Sequence, residues 1–93
     1  MLKGKFEIHE VTISNTISKD VHLKLPEKLI KHSLGDWGNA SPDFEEHNEK
    51  VLKLGQGVII GLYVIENYDV AIFTCPEIRR TYITLTEDFL KNF

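Results

Sequence analysis

Val58-Ile59-Ile60-Gly61-Leu62-Tyr63-Val64-Ile65 is the stretch that decides the fold, because almost every residue in it is apolar and most are β-branched. A run of this length and composition predicts a strand that is covered on both faces. Residues 66–69 supply a turn, and residues 70–75 and 81–86 predict two further strands. Three consecutive strands with short links indicate an antiparallel meander.

A helix over residues 42–54 is predicted before this meander. Ser41 is a capping residue, Pro42 fits the first helical turn, and Gly55 fits the left-handed residue that ends a helix. A second helix is predicted over residues 26–34, because it starts with a proline and carries an apolar stripe at helical spacing.

The amino-terminal third adds a strand. Apolar residues alternate with polar ones over residues 5–13, and the apolar face changes near Glu10, as at a bulge. Residues 21–25 also alternate and predict a short strand or an extended approach to the first helix. The sequence thus predicts a single α+β domain over residues 1–93, with an antiparallel sheet of about four strands and two helices packed on one face.

Composition and charge exclude several classes of function. No apolar run approaches the roughly 20 residues of a membrane span, and no export signal is visible, so we expect no membrane association. Cys75 is the single cysteine, which favours a cytoplasmic location. Residues 33–49 hold five acids and no lysine or arginine, which disfavours nucleic acid but not a basic partner, and a solvated helix face is the structural alternative.

The segment Leu34-Gly35-Asp36-Trp37-Gly38-Asn39 joins the two predicted helices and holds the only tryptophan. Closely spaced glycines indicate positive φ angles or a close approach of two backbones. Trp37 is therefore either a buried peg or a platform for a ligand. We predict that the flanking helices hold it rigidly and that recognition, with Asp36 beside it, is built around this corner.

His32 and Asp36 are the weak candidates for catalysis, since they stand four positions apart and an imidazole paired with a carboxylate can act as a general base. No nucleophile is recognisable nearby, and a histidine at a helix carboxyl end has a structural alternative. Together with His22 and His47 these residues lack the spacing of metal ligands. We therefore predict no catalytic residue, no metal and no cofactor.

Asn48 lies near the inward stripe of the 42–54 helix, where an amide without partners would be costly. The nearest candidate partners are backbone groups of residues 35–39, so we predict that Asn48 clamps the tryptophan loop. The alternative is a solvated position at the edge of the stripe.

Arg79 and Arg80 are the only arginines. With Tyr68 and Tyr82 nearby, they could hold a nucleotide or a phosphate through charge and stacking. A solvated turn or a salt bridge between subunits is the structural alternative.

The chain resembles a family of small proteins of plasmids, phages and integrative elements, often called plasmid-related proteins. The most specific part is the run His-x-x-Gly-Asp-Trp-Gly at residues 32–38, and family members carry an Asp-Arg pair where this chain has Glu77-Ile78. The resemblance covers about two thirds of the chain and implies a setting in mobile-element biology, where small proteins modulate host defences. Further matching features are Asp43, Asn48-Glu49, a glycine before a strand with a tyrosine, Ile72-Phe73-Thr74 and Glu87-Asp88-Phe89.

These observations predict a non-catalytic binding protein of a phage or plasmid that occupies a host protein or sequesters a small ligand such as a nucleotide. Apolar residues on both faces of the strand over residues 58–65 predict a homodimer. Two alternatives stay open: a small enzyme that uses His32 and Asp36 on a phosphoester, and an accessory protein that binds nucleic acid through its basic first third together with Arg79 and Arg80.

Overall fold

The structure, a computed structural model, describes residues 4–91. In chain order the elements are β1 (Glu10–Ile13), α1 (Lys19–Ser33), α2 (Pro42–Leu54), β2 (Ile59–Ile65), β3 (Tyr68–Cys75), a short 3-10 helix (Pro76–Ile78), β4 (Arg80–Leu85) and α3 (Thr86–Lys91). The predicted α+β class is confirmed.

One sheet contains the four strands in the order β1-β4-β3-β2. The meander of β2, β3 and β4 is antiparallel, as predicted, and a tight turn with positive φ at Glu66 and Asn67 closes its first hairpin. β1 pairs in parallel with β4, so the sheet is mixed and not wholly antiparallel. β1 is also shorter than the predicted strand over 5–13, because His9 adopts a φ of 61°, which interrupts an extended strand.

α1 begins seven residues earlier than predicted, at Lys19 and not at 26. The Ser18 hydroxyl accepts a hydrogen bond from the Val21 amide and caps the helix. The prediction of a short strand over 21–25 is wrong. Val21 and Leu25 are buried four residues apart on the helix, while Leu23, which completes the alternation, is 81% exposed.

The helices take three different positions around the sheet. α1 packs through Val21 and Leu25 on one face, where Ile72 forms part of the same apolar cluster. α3 packs on the opposite face, where Phe89 joins Ile60 in a second cluster. α2 has the predicted bounds but lies along the outer edge of β2, where Asn48 bonds the Ile60 backbone and Phe44 packs against the clusters of both faces. This corrects the prediction that two helices share one face.

Candidate functional site

Trp37 is the buried residue of the tryptophan loop and not an exposed platform for a ligand. Trp37 is 6% exposed and packs among apolar residues contributed by α2 and β2. Its indole stacks on Phe6 with ring centroids 6.0 Å apart and meets the edge of the His32 ring at 5.6 Å. These contacts join the end of α1 to the sheet and give the loop a fixed position.

The loop backbone pairs with the outer edge of β2. The Leu62 amide donates to the Trp37 carbonyl at 3.0 Å, and the Asn39 amide donates to the Leu62 carbonyl at 2.6 Å. Between them, Gly38 has a φ of 65°, and its own amide donates to the Asp36 carboxylate at 3.1 Å. A side chain at Gly38 would collide with the Leu62 carbonyl, so the glycine is required for this close approach.

Asn48 does not clamp the tryptophan loop, which corrects that prediction. Its amide nitrogen donates to the Ile60 carbonyl at 2.7 Å, and its oxygen accepts from the Ile60 amide at 2.8 Å. Next to it, His47 Nε2 donates to the Val58 carbonyl at 2.8 Å. Together with the loop at Leu62, these groups occupy alternate backbone positions along the edge of β2 and close it to further strand pairing.

The structure does not bring His32 and Asp36 together as a catalytic pair. The His32 ring is fully buried, with Nδ1 3.2 Å from the Tyr63 hydroxyl and Nε2 3.1 Å from the Thr74 hydroxyl. The Asp36 carboxylate is engaged by the Gly38 amide. His32 therefore cannot reach a substrate at the surface. Gly61 makes room for this arrangement, because a side chain there would meet both the His32 and the Tyr63 rings.

His32 belongs to a row of hydrogen-bonding groups that has one donor proton fewer than it has contacts. The row runs from the Asp36 carbonyl through Tyr63, His32, Thr74 and Thr81 to the Ile8 carbonyl. It has five contacts, whereas three hydroxyls and one neutral imidazole supply four protons. We assign the gap to the longest contact, between His32 Nδ1 and Tyr63, so that Nε2 carries the ring proton.

Burial keeps the His32 and Tyr63 side chains uncharged. Loss of hydration lowers the pKa of His32 from 6.5 to about 3, because the charged imidazolium is penalised in the interior. Burial also raises the pKa of Tyr63, and the nearby Asp36 carboxylate adds to that shift. Both side chains are therefore uncharged at neutral pH, as structural groups in a core would be.

Acid is expected to destabilise the protein through His32. Below about pH 6.5 the unfolded chain binds a proton at this residue, whereas the folded protein does so only near pH 3. The free energy of unfolding is therefore unaffected by protonation of His32 above pH 6.5, and it falls by about 1.4 kcal/mol per pH unit from there down to about pH 3. Denaturant unfolding of His32→Gln between pH 7 and pH 4 should show a shallower pH dependence than the wild type. The exposed His22→Gln control should keep the wild-type slope, and equal slopes for all three proteins would refute the assignment.

An acidic groove lies beside the tryptophan loop. It has a volume of about 520 Å³, and Gly38 and Pro42 line it together with the loop and the first turns of α2. Its carboxylates come from Asp36, Glu45, Glu46 and Glu49. Of these, Glu46 forms an exposed ion pair with Lys50 at 3.8 Å. The excess of acids over residues 33–49 is visible in the sequence, but the three glutamates are not among the predicted site residues, although their spacing on α2 places them on one side of a helix.

The four residues proposed to hold a nucleotide do not form one site. Arg80 lies 4.0 Å from Glu10 on the neighbouring strand, and Tyr82 stacks on Phe73. Tyr68 begins β3, whereas Arg80 pairs with Cys75 at its end, which separates them by roughly 23 Å at 3.3 Å per residue. Arg79 sits in the left-handed turn before β4 with a φ of 54°.

Within residues 4–91, no group of three or more His, Cys, Asp or Glu side chains is arranged to hold a metal ion. No helix in the same range is long and apolar enough to cross a membrane. Comparisons with family models, with curated proteins and with solved structures found no match to this chain.

Proposed function

We propose that this chain is a non-catalytic binding protein whose acidic groove takes a basic segment of a partner protein. The observation that supports this most directly is the convergence of Asp36, Glu45, Glu46 and Glu49 on one groove of about 520 Å³. A partner rich in lysine and arginine fits this charge, and electrostatic complementarity of this kind favours fast and selective association.

The fixed tryptophan loop supports the proposal from a second side. Its backbone is bonded to β2 at Leu62, and Trp37 is packed against Phe6 and His32, so this wall of the groove keeps its shape. A partner that binds a preformed wall loses less conformational entropy than one that must order it.

The setting that we propose follows from the family resemblance. In it the chain is encoded by a phage or plasmid, acts in the cytoplasm, and occupies a host protein so as to modulate host defence. The buried His32 does not support the alternative of a phosphoester-cleaving enzyme. The separation of Tyr68 from Arg80 does not support a nucleotide ligand, and the acidic groove does not support nucleic acid.

The test compares two double variants that lose the same charge. Glu45→Gln with Glu49→Gln neutralises the groove, whereas Glu7→Gln with Glu66→Gln neutralises exposed acids outside its lining. Binding of a hexalysine peptide can be followed by the fluorescence of Trp37, the only tryptophan. At low salt we expect the groove variant to bind about 5-fold more weakly than the wild type and the control to change less than 2-fold.

Salt provides the second arm of this experiment. In about 0.5 M salt the difference between the two variants should disappear, since screening shortens the range of exposed charges. If both variants lose the same affinity for the peptide at low salt, binding depends only on the net charge of the protein, and the groove is not the binding site.

A further inference from the structure

The two edges of the sheet differ in their exposure. At the β2 edge, side chains of α2 bond the backbone of Val58 and Ile60, and the backbone of the tryptophan loop bonds that of Leu62. β1 at the opposite edge is exposed along most of its length, with Val11 half-buried. It contains no proline, lysine or bulge between residues 10 and 13 that would discourage pairing with another strand.

The pairing of β1 with β4 determines which backbone groups point outward. The Ser14 amide donates to the Ile83 carbonyl at 2.8 Å, and Ile13 is aligned with Ile83 in parallel register. The N–H and C=O groups of alternate residues point to the same side of a strand. The backbone N–H and C=O groups of Thr12, two residues before Ser14, therefore also point towards β4. The N–H and C=O groups of Val11 and Ile13 therefore point away from the sheet, and no group within residues 4–91 bonds them.

We infer that β1 is the contact surface for a second copy of this chain. The two β1 strands pair antiparallel about a twofold axis through Thr12, which joins the sheets into one of eight strands. Val11 then lies opposite the partner's Ile13, and each of these two equivalent pairs exchanges two hydrogen bonds. Four backbone hydrogen bonds result, and they use every outward N–H and C=O group of Val11 and Ile13 in both copies.

Only this register uses all of those groups. An axis through Val11 would pair His9 with the partner's Ile13, but the φ of 61° at His9 takes it out of the strand. An axis through Ile13 would pair Val11 with the partner's Asn15, which lies in the turn after β1. The Thr12 register is therefore self-complementary, which is the property that favours a second copy over an unrelated strand.

Side chains and charge agree with the same register. Val11 and Ile13 lie on the same face, so the pairing places two apolar side chains together and covers Ile13, which is 37% exposed. Glu10 would lie opposite the partner's Ser14, and its charge is offset by Arg80 in its own chain at 4.0 Å. No like charges are brought directly opposite one another.

This interface differs from the one predicted from the sequence. The apolar faces of β2 suggested a dimer through that strand, but Phe44 and Phe89 of the same chain already pack around Ile60. Val64 remains half-exposed at the end of β2. The two surfaces are thus at opposite edges of the sheet, and an experiment can separate them.

The test is the mass of the full chain in solution, measured by sedimentation over a range of concentrations. We expect the wild type to move from 10.7 kDa towards twice that mass as the concentration rises. Ile13→Pro removes an outward N–H without removing a bond to β4, and it deletes two of the four proposed hydrogen bonds. We expect it to weaken the dimer by about 10- to 100-fold.

Val64→Pro is the matched control. By the alternation that directs Ile60 and Leu62 outward, the N–H of Val64 also points away from the sheet, at the opposite edge. This variant should dimerise like the wild type. If Val64→Pro becomes monomeric while Ile13→Pro does not, the interface lies at β2 and the inference is wrong.

Amide hydrogen exchange of the wild type tests the same point without a variant, in case Ile13→Pro fails to fold. The amides of Val11 and Ile13 should become protected as the concentration rises, while the amide of Val64 should not. A mass of 10.7 kDa at every concentration up to about 1 mM, or concentration-independent exchange at Val11 and Ile13, would overturn the inference. Neither result would bear on the acidic groove.

Discussion

Replacing Asn48 with alanine is expected to lower the free energy of unfolding by about 2 to 5 kcal/mol. The change removes two hydrogen bonds and leaves the amide and carbonyl of Ile60 buried without partners. Since 1 kcal/mol corresponds to about 4 to 8 °C in a domain of this size, the melting temperature should fall by roughly 8 to 40 °C. Far-ultraviolet circular dichroism during heating measures it.

Asn39→Ala provides the control for this experiment. Asn39 is exposed, and only its backbone amide bonds β2, so the side chain can be removed without loss of that bond. We expect its melting temperature to stay within about 3 °C of the wild type. If Asn48→Ala has the same melting temperature as this control, the Asn48 amide does not stabilise the edge of β2.

Gly38→Ala is expected to have an effect of similar size, about 2 to 5 kcal/mol. Part of this cost comes from the φ of 65°, which is unfavourable for any residue with a Cβ atom. The rest comes from the collision with the Leu62 carbonyl, which forces the loop away from β2. Chemical denaturation gives the loss of stability, and the emission of Trp37 reports whether the indole becomes solvated.

Gly55→Ala separates these two contributions. Gly55 ends α2 with a φ of 70°, but no atom lies within 4 Å of where a Cβ atom would be. This variant should therefore lose only the conformational part, about 1 to 2 kcal/mol, and should keep the wild-type emission of Trp37. If the two alanine variants are equally destabilised, the close approach of Gly38 to β2 contributes nothing measurable.

Local chemical signals predicted the parts of the fold that depend on neighbours in sequence. Ser41, Pro42 and Gly55 defined α2 to the residue, because capping is decided within one helical turn. The hairpin between β2 and β3 was predicted for the same reason, since its turn residues lie between two apolar runs.

Features that depend on distant residues were predicted less well. Residues 21–25 alternate like a strand, and only contact with the sheet shows that Val21 and Leu25 are the buried pair and that Leu23 is solvated. The parallel partner of β1 lies about 70 residues away, and no local pattern encodes that pairing.

The candidate site shows the same division. Asn48 was recognised as a polar group in need of partners, but its partner depended on β2 lying at an edge of the sheet, which the sequence does not reveal. His32 was placed at the end of a helix, but its full burial follows from the packing of Phe6, Trp37 and Tyr63 around it. The acidic groove is formed by the tryptophan loop and α2 together, and no local sequence pattern shows that these two segments lie side by side.

The occupied edge of β2 has a consequence for how this protein can aggregate. A sheet with two free sides can add molecules end to end and grow into a filament, whereas here one side is blocked at Val58, Ile60 and Leu62. When two molecules pair through β1, each has used its one free sheet edge, and no third molecule can be added. Self-association by this route is therefore finite, and the side chains of α2 act as a stop against polymerisation.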